Sequence, residues 1–188
     1  MQPERAAELI RGAVIGPDGT PIGPSWADLG SGSGTFTFAL ARLLGPDARV
    51  IAVDREPAAL ESLRRAHERR SDRAEAAVLP AAGDFRDLEA VPALENVVLD
   101  GALFANALHF DPDPTRTLRD TAARLAEHGR LVVVEYQDRP PNPWVPHPLP
   151  VARLEEVAHA AGLAPPRVVG ERPSSYGGFL YCAWTGPG

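Results

Sequence analysis

Three glycines and three carboxylates stand in a spacing that suits a nucleoside. The stretch "WADLGSGSG" (26–34) holds Gly30, Gly32 and Gly34 at alternate positions, with Asp28 two residues before the first. A glycine turn between an apolar strand and an apolar helix is a common nucleotide cradle, because the backbone approaches a ligand closely where no Cβ intervenes. The dinucleotide fingerprint G-x-G-x-x-G would need a third glycine where Thr35 stands. A carboxylate at Asp28 would repel a pyrophosphate and favours a cation such as an ammonium or a sulfonium. Asp54 closes the apolar run "RVIAVD" (49–54), and a carboxylate there accepts hydrogen bonds from both ribose hydroxyls. In "GDF" (83–85), Asp84 offers an acceptor for an adenine amino group and Phe85 a face for the ring. Asp84 also reads as a helix N-cap for "FRDLEA".

A second set of residues could serve another substrate. His109, in "FANALHF" (104–110), is either a general base or a polar residue covering the mouth of a pocket. The stretch "NPWVPHPL" (142–149) offers Asn142, Trp144 and His147 between prolines that preorganise it. Its alternative is a rigid surface loop with Trp144 as a plug. Glu135 and Tyr136 end the run "LVVVEY", so one faces the pocket and the other a helix layer. His67, His128 and His159 lie beside charged neighbours and are expected in solvent, as is Tyr176 in the last turn.

These residues need elements to hold them. Apolar runs predict strands over 25–29, 49–54, 75–84, 96–106 and 130–137. Helices are expected over 4–15, 35–45, 56–70, 113–129 (ended by Gly129) and 151–162. Residues 166–186 read as two strands joined by a short turn. Strand–helix alternation followed by a hairpin implies an α/β fold, a mostly parallel sheet with helices on both faces. In such sheets ligands bind beyond the C-terminal strand ends, where the glycine turn falls.

Composition narrows the chemistry. The chain has 188 residues, enough for one domain, and its formal net charge of −6 demands no basic nucleic-acid face. It contains no lysine, which removes Schiff-base chemistry and the Gly-Lys-Ser/Thr phosphate loop. The single cysteine, Cys182, is expected buried, and no metal cluster is visible. No long apolar run follows the charged N-terminus, so no membrane contact and a cytoplasmic location are expected.

Taken in order, "ADLGSGSG", "AVD", "GDF" and "LVVVEY" resemble the class I S-adenosylmethionine-dependent methyltransferases. The tail "NPWVPHPL" is similar to the small bacterial, quinone-biosynthesis-like subgroup. The resemblance implies a Rossmann-like three-layer sandwich with a seven-stranded sheet, order 3-2-1-4-5-7-6, strand 7 antiparallel. It implies one domain over 1–188: an N-terminal helix and linker over 1–24 that can act as a lid, and a cofactor-binding core over 25–137. A pocket loop over 138–150 and a final helix and hairpin over 151–188 complete it. S-adenosylmethionine would lie against Gly30, Ser31, Gly32 and Gly34, its ammonium near Asp28, its ribose at Asp54 and Arg55. Gly83, Asp84 and Phe85 would hold the adenine, and Ala105 and Asn106 the methionine end. His109 and His147 are the candidate bases, and Tyr136, Asn142 and Trp144 the candidate contacts of a small-molecule methyl acceptor. The active chain would be a monomer or homodimer. Two other readings compete: a non-catalytic protein binding S-adenosylmethionine or S-adenosylhomocysteine, and a nicotinamide-dependent reductase. The shifted third glycine, Asp28 and the hairpin speak against the reductase.

Overall fold

The computed structural model describes residues 1–70, 74–175 and 177–188, so Tyr176 lies outside the described residues. Seven strands form one sheet: β1 (Ser25–Leu29), β2 (Arg49–Asp54), β3 (Ala77–Ala82), β4 (Leu99–Ala105), β5 (Leu125–Tyr136), β6 (Arg167–Pro173) and β7 (Phe179–Thr185). Their order is β3-β2-β1-β4-β5-β7-β6, as the resemblance implied. The pairs β1–β2, β1–β4, β2–β3 and β4–β5 are parallel, whereas β7 runs antiparallel to both β5 and β6. All five residues of β1 are buried, which explains why a central parallel strand reads as a short apolar run without alternation.

Among the described residues, five helices cover the faces: α1 (Pro3–Val14), α2 (Thr35–Leu44), α3 (Pro57–Glu68), α4 (Pro114–Ala122) and α5 (Val151–Ala161). One core packs α1 and α2 against Trp26, Val50, Leu103, Val132 and Cys182. On the opposite face, Ala27, Ile51, Phe104, Val133 and Tyr181 pack with Leu118 of α4 and Leu154 and Val157 of α5. Cys182 is fully buried in β7, where burial pushes its thiol up to about 12 and keeps it inert.

Two expectations need correction. The helix expected over 113–129 stops at Ala122, and Gly129 does not end it. The Arg124 carbonyl accepts from the Leu99 amide at 2.9 Å, and the β4–β5 ladder starts at Leu125 with an irregularity before Gly101. Pairing with the sheet therefore overrides the helical pattern of "RLAEHG". Helix α1, expected as a lid, is a core element. Its Ala6, Ile10, Ala13 and Val14 are fully buried, and Arg130 Nη1 caps its end at the Ala13 carbonyl, 2.8 Å away. Among the described residues, no helix is long and apolar enough to cross a membrane.

Candidate active site

A cleft of about 310 Å³ opens at the C-terminal ends of β1, β2, β3 and β4. Its walls are the turns after those strands. Gly30 and Gly32 follow β1, Asp54, Arg55 and Glu56 close β2, Gly83 to Arg86 follow β3, and Asn106, Ala107 and Phe110 follow β4. Glu56, Arg86, Ala107 and Phe110 were not legible as lining residues. Each neighbours a motif residue, but only the turn geometry turns it inward.

The glycine turn is shaped by its own backbone. The amides of Gly30 and Ser31 both donate to the Val53 carbonyl, at 2.9 and 3.0 Å. Gly30 takes φ +81°, and a Cβ there would lie 2.7 Å from the Ala107 Cβ. The position thus needs glycine twice over, for its dihedral and for the contact between the turns after β1 and β4. Asp54 ties the turn to β2, accepting from the Gly32 amide at 2.7 Å through Oδ2 and from the Glu56 amide at 2.9 Å through Oδ1. Each oxygen keeps a lone pair for a ribose hydroxyl. Gly34 stands behind the cleft as the N-cap of α2.

Asp28 lies beneath the turn, only 1% exposed. Its Oδ2 accepts from Thr37 Oγ1 at 2.6 Å, while Oδ1 has no partner. Burial raises its pKa to about 7, against the Thr37 hydrogen bond and with help from the Asp54 charge. Ser31 Oγ and Asn106 Oδ1 are likewise buried without a partner. Asn106 sits at φ +55°, a conformation that non-glycine residues rarely take, with its amide held by the Val134 carbonyl at 2.8 Å. Ala105 ends β4 just before it, outside the cleft lining. Buried acceptors are rarely left unbonded in a finished site. Of the three residues that carry such an acceptor, only Asn106 lines the cleft; Asp28 and Ser31, expected against the cofactor, lie outside the lining.

At the nucleobase end, Phe85 packs edge-on against Phe104 with ring centroids 5.6 Å apart. Asp84 is not an N-cap, since it caps no helix and bonds to Arg86 instead. Both its oxygens accept from the Arg86 side chain, and Oδ1 also accepts the Arg86 amide at 3.0 Å. These bonds hold the Asp84 carboxyl below its ordinary range.

The residues expected to meet a second substrate divide. His109 is 3% exposed, and its Nδ1 lies 2.7 Å from Oε2 of the fully buried Glu135. Glu135 Oε1 also accepts the His109 amide at 3.2 Å. Glu135 therefore faces the α4–α5 side, and Tyr136 the side of α1 and α2. His109 does not line the cleft; its ring sits 4.3 Å, centroid to centroid, from that of Phe110, which does. The His147 amide donates to the His109 carbonyl at 3.0 Å, while its ring lies outside the lining. Asn142 Oδ1 accepts the amides of Trp144 and Val145, so its side chain is spent on a turn. Trp144 at that tip is 78% exposed, which excludes the plug, and neither it nor Tyr136 lines the cleft. Among the described residues no group of three His, Cys, Asp or Glu side chains is placed to hold a metal.

Residues 25–162 match the family model described as a methyltransferase domain. The chain belongs to this family. The match is to the domain in general and does not single out the quinone-biosynthesis-like subgroup. A curated relative from Streptomyces fradiae, "Uncharacterized 37.1 kDa protein in transposon TN4556", is 33% identical over 114 residues, 60% of this chain and 30% of the relative. Solved methyltransferases share the fold. The mitomycin 7-O-methyltransferase MmcR superposes with a TM-score of 0.65 at 22% identity, covering 96% of this chain and 52% of MmcR. The CurJ carbon methyltransferase gives 0.74 at 16% identity, covering 100% of this chain and 54% of CurJ. Magnesium protoporphyrin IX methyltransferase from Synechocystis, crystallised with S-adenosylmethionine, gives 0.65 at 14% identity, with 98% and 77% covered. The chain thus spans about half the length of MmcR and less than a third of the curated relative. S-adenosylmethionine is the cofactor of this methyltransferase domain. The glycine turn, Asp54 and the wall of Phe85 fit its methionine arm, ribose and adenine in turn.

Proposed function

We propose that this methyltransferase domain transfers a methyl group to a small, largely apolar acceptor that loses a proton in the reaction. One observation carries the reading. The charged lining residues of the cleft, Asp54, Arg55, Glu56, Asp84 and Arg86, come from the turns after β2 and β3. The turn after β4 contributes Asn106, Ala107 and Phe110, with the carboxylate-bound imidazole of His109 directly behind Phe110.

When bound, the cofactor supplies a methyl group on a sulfonium, which is reactive enough that positioning and exclusion of water do most of the work. Asn106 would meet the ammonium from the cleft wall, and the buried Asp28 would act on it by its charge from beneath the glycine turn, which fixes the methionine arm. Asp54 fixes the ribose, so the arm is held at both ends. Ala107 and Phe110 give the acceptor an apolar wall. His109 Nδ1 donates its proton to Glu135, which leaves Nε2 to accept one. His109 lies behind the half-exposed Phe110, so an acceptor reaches its imidazole by displacing that ring. The acceptor's proton would go to Nε2 of His109 as its O, N or S atom takes the methyl group that the cofactor would supply, so that the positive charge lost from the sulfonium is taken up by the imidazole. MmcR, an O-methyltransferase by name, supports an oxygen acceptor, while CurJ acts on carbon by name.

The test is release of S-adenosylhomocysteine from S-adenosylmethionine in the presence of a panel of small phenols, hydroxyquinones, thiols and amines. Turnover with an aromatic hydroxyl acceptor that drops about 100-fold in His109→Gln is the expected result. Turnover unaffected by His109→Gln would overturn the role of the imidazole. Tight cofactor binding with no acceptor turned over would favour a binding protein.

A further inference from the structure

Arg86 stands where the adenine of the cofactor should meet its polar partner. It lines the cleft beside Phe85 and lies two residues after Asp84. Its Nε donates to both Asp84 oxygens, at 2.9 and 3.1 Å, and its Nη2 donates to Oδ2 as well. With the Arg86 amide also on Oδ1, three N–H groups of one residue converge on the carboxylate, the single Nε proton shared between its two oxygens. Both oxygens are thus already turned to Arg86 before an adenine amino group arrives. The guanidinium is anchored on one side only. It shares the cleft lining with Phe85 after β3 and with Asn106, Ala107 and Phe110 after β4. What this end of the cleft offers a base is therefore the rest of a cation, with hydrogen-bond donors at its edge and a planar face.

We propose that Arg86, and not Asp84, is the polar group that meets the nucleobase, and that Asp84 acts as a positioning residue through it. The proposal rests on the assignment of an adenosyl cofactor to this cleft. Its consequence is chemical. A carboxylate reads the adenine amino group, which is a donor. A guanidinium reads ring nitrogens and carbonyl oxygens, which are acceptors, or stacks on the face of the ring. The site is then a reader of purine rather than of the amino group. Replacing that amino group by a carbonyl oxygen, as in hypoxanthine, should be tolerated.

The experiment is calorimetric titration of the full chain with S-adenosylhomocysteine and with its inosine counterpart. Wild type, Arg86→Ala, Asp84→Ala and the double variant are compared. The two side chains are partly exposed, and thermal melts of each variant check that it folds. The proposal expects wild type to bind the two ligands within about fivefold of each other. It expects Arg86→Ala to weaken both by about tenfold, and the double variant to bind no worse than Arg86→Ala alone. Direct reading by Asp84 gives the opposite pattern and would overturn it. The inosine ligand would then bind at least thirtyfold more weakly, Arg86→Ala would bind as well as wild type or better, and the double variant would bind more weakly than Arg86→Ala alone. Wild type that binds neither ligand would reject the adenosyl assignment itself, an outcome distinct from either pattern.

Discussion

Asp28 and Glu135 are both carboxylates closed off from solvent, at 1% and 0% exposure, yet they are finished to different degrees. Glu135 has both oxygens bonded within the chain, one to the His109 ring and one to the His109 amide. Asp28 has one oxygen bonded to Thr37 and the other to nothing. A buried carboxylate without its full set of donors costs free energy, and the raised pKa of Asp28 records that cost. The contrast separates two kinds of site. Beneath the glycine turn the protein leaves one carboxylate oxygen without a donor of its own. Behind the turn after β4 it completes its own bonds, so that a carboxylate acts only through an imidazole.

The two regions touch at Gly30, and the largest effect is expected there. In Gly30→Ala the new Cβ meets Ala107 at 2.7 Å and sits at φ +81°. Strain and overpacking together should cost about 2–4 kcal/mol of stability. Affinity for S-adenosylhomocysteine should fall at least about 100-fold, since the turn that holds the ligand is displaced. Gly32→Ala is the control, with φ +54° but nothing within 4 Å of a Cβ, and should lose only about 1 kcal/mol of stability. Equal losses in thermal melts of the two variants would mean that the contact between the turns is unimportant.

The next effect should split the regions cleanly. His109→Gln is expected to lower turnover by about 100-fold, the usual scale of a lost general base, while affinity for S-adenosylhomocysteine stays within about threefold. Asp28→Asn should do the reverse in binding, weakening S-adenosylhomocysteine by about tenfold through the lost charge on its ammonium. Calorimetry and steady-state rates on the same preparations test this. If both variants lose binding equally, the distinction between an open and a completed carboxylate fails.

A pH titration sharpens the same point. Because the folded-state pKa of Asp28 is raised from 3.8 to about 7, the folded chain holds that proton more tightly than the unfolded chain does. Its contribution to stability is therefore whole below about pH 4 and is lost as pH rises through 7. A cationic ligand acts in the other direction and binds better as Asp28 ionises. Melting of the ligand-free protein should fall between pH 5 and 8 more in wild type than in Asp28→Asn, and S-adenosylhomocysteine should flatten the wild-type curve. Parallel curves for the two proteins would place the titration elsewhere.

This division also explains what the sequence disclosed. The turn after β1 was legible because glycine spacing, Asp28 and Asp54 are signals within one strand–turn–helix–strand unit, whereas the sheet order came from the family resemblance. Gly30, Gly32, Asp54, Arg55, Gly83, Asp84, Phe85 and Asn106 do line the cleft. The His109–Glu135 pair spans 26 residues and a whole helix, so its two members could be named without being joined. Helix α4 was overextended because its end is decided by β4, through the Leu99–Arg124 bond, and not by Gly129. Arg86 was missed because an exposed arginine after "GDF" carries no pattern; only its bonds to Asp84 turn it into a wall.

The smallest effect tests the loop between β5 and α5. Its C-terminal end is fastened twice: the Tyr181 hydroxyl donates to the Leu149 carbonyl at 2.6 Å, and the His147 amide donates to the His109 carbonyl. Its tip is a turn closed by Asn142, with Trp144 78% exposed upon it. Trp144→Ala removes little buried surface, so stability should change by less than about 0.5 kcal/mol. Binding of S-adenosylhomocysteine should not change, since the indole lies outside the cleft lining. The acceptor decides the rest. If the tip folds over a bound acceptor, the variant raises the acceptor KM severalfold with kcat retained, the sign of lost ground-state contact. If KM also stays constant, Trp144 has no part in the site, and Phe110 is the aromatic wall on which the acceptor rests.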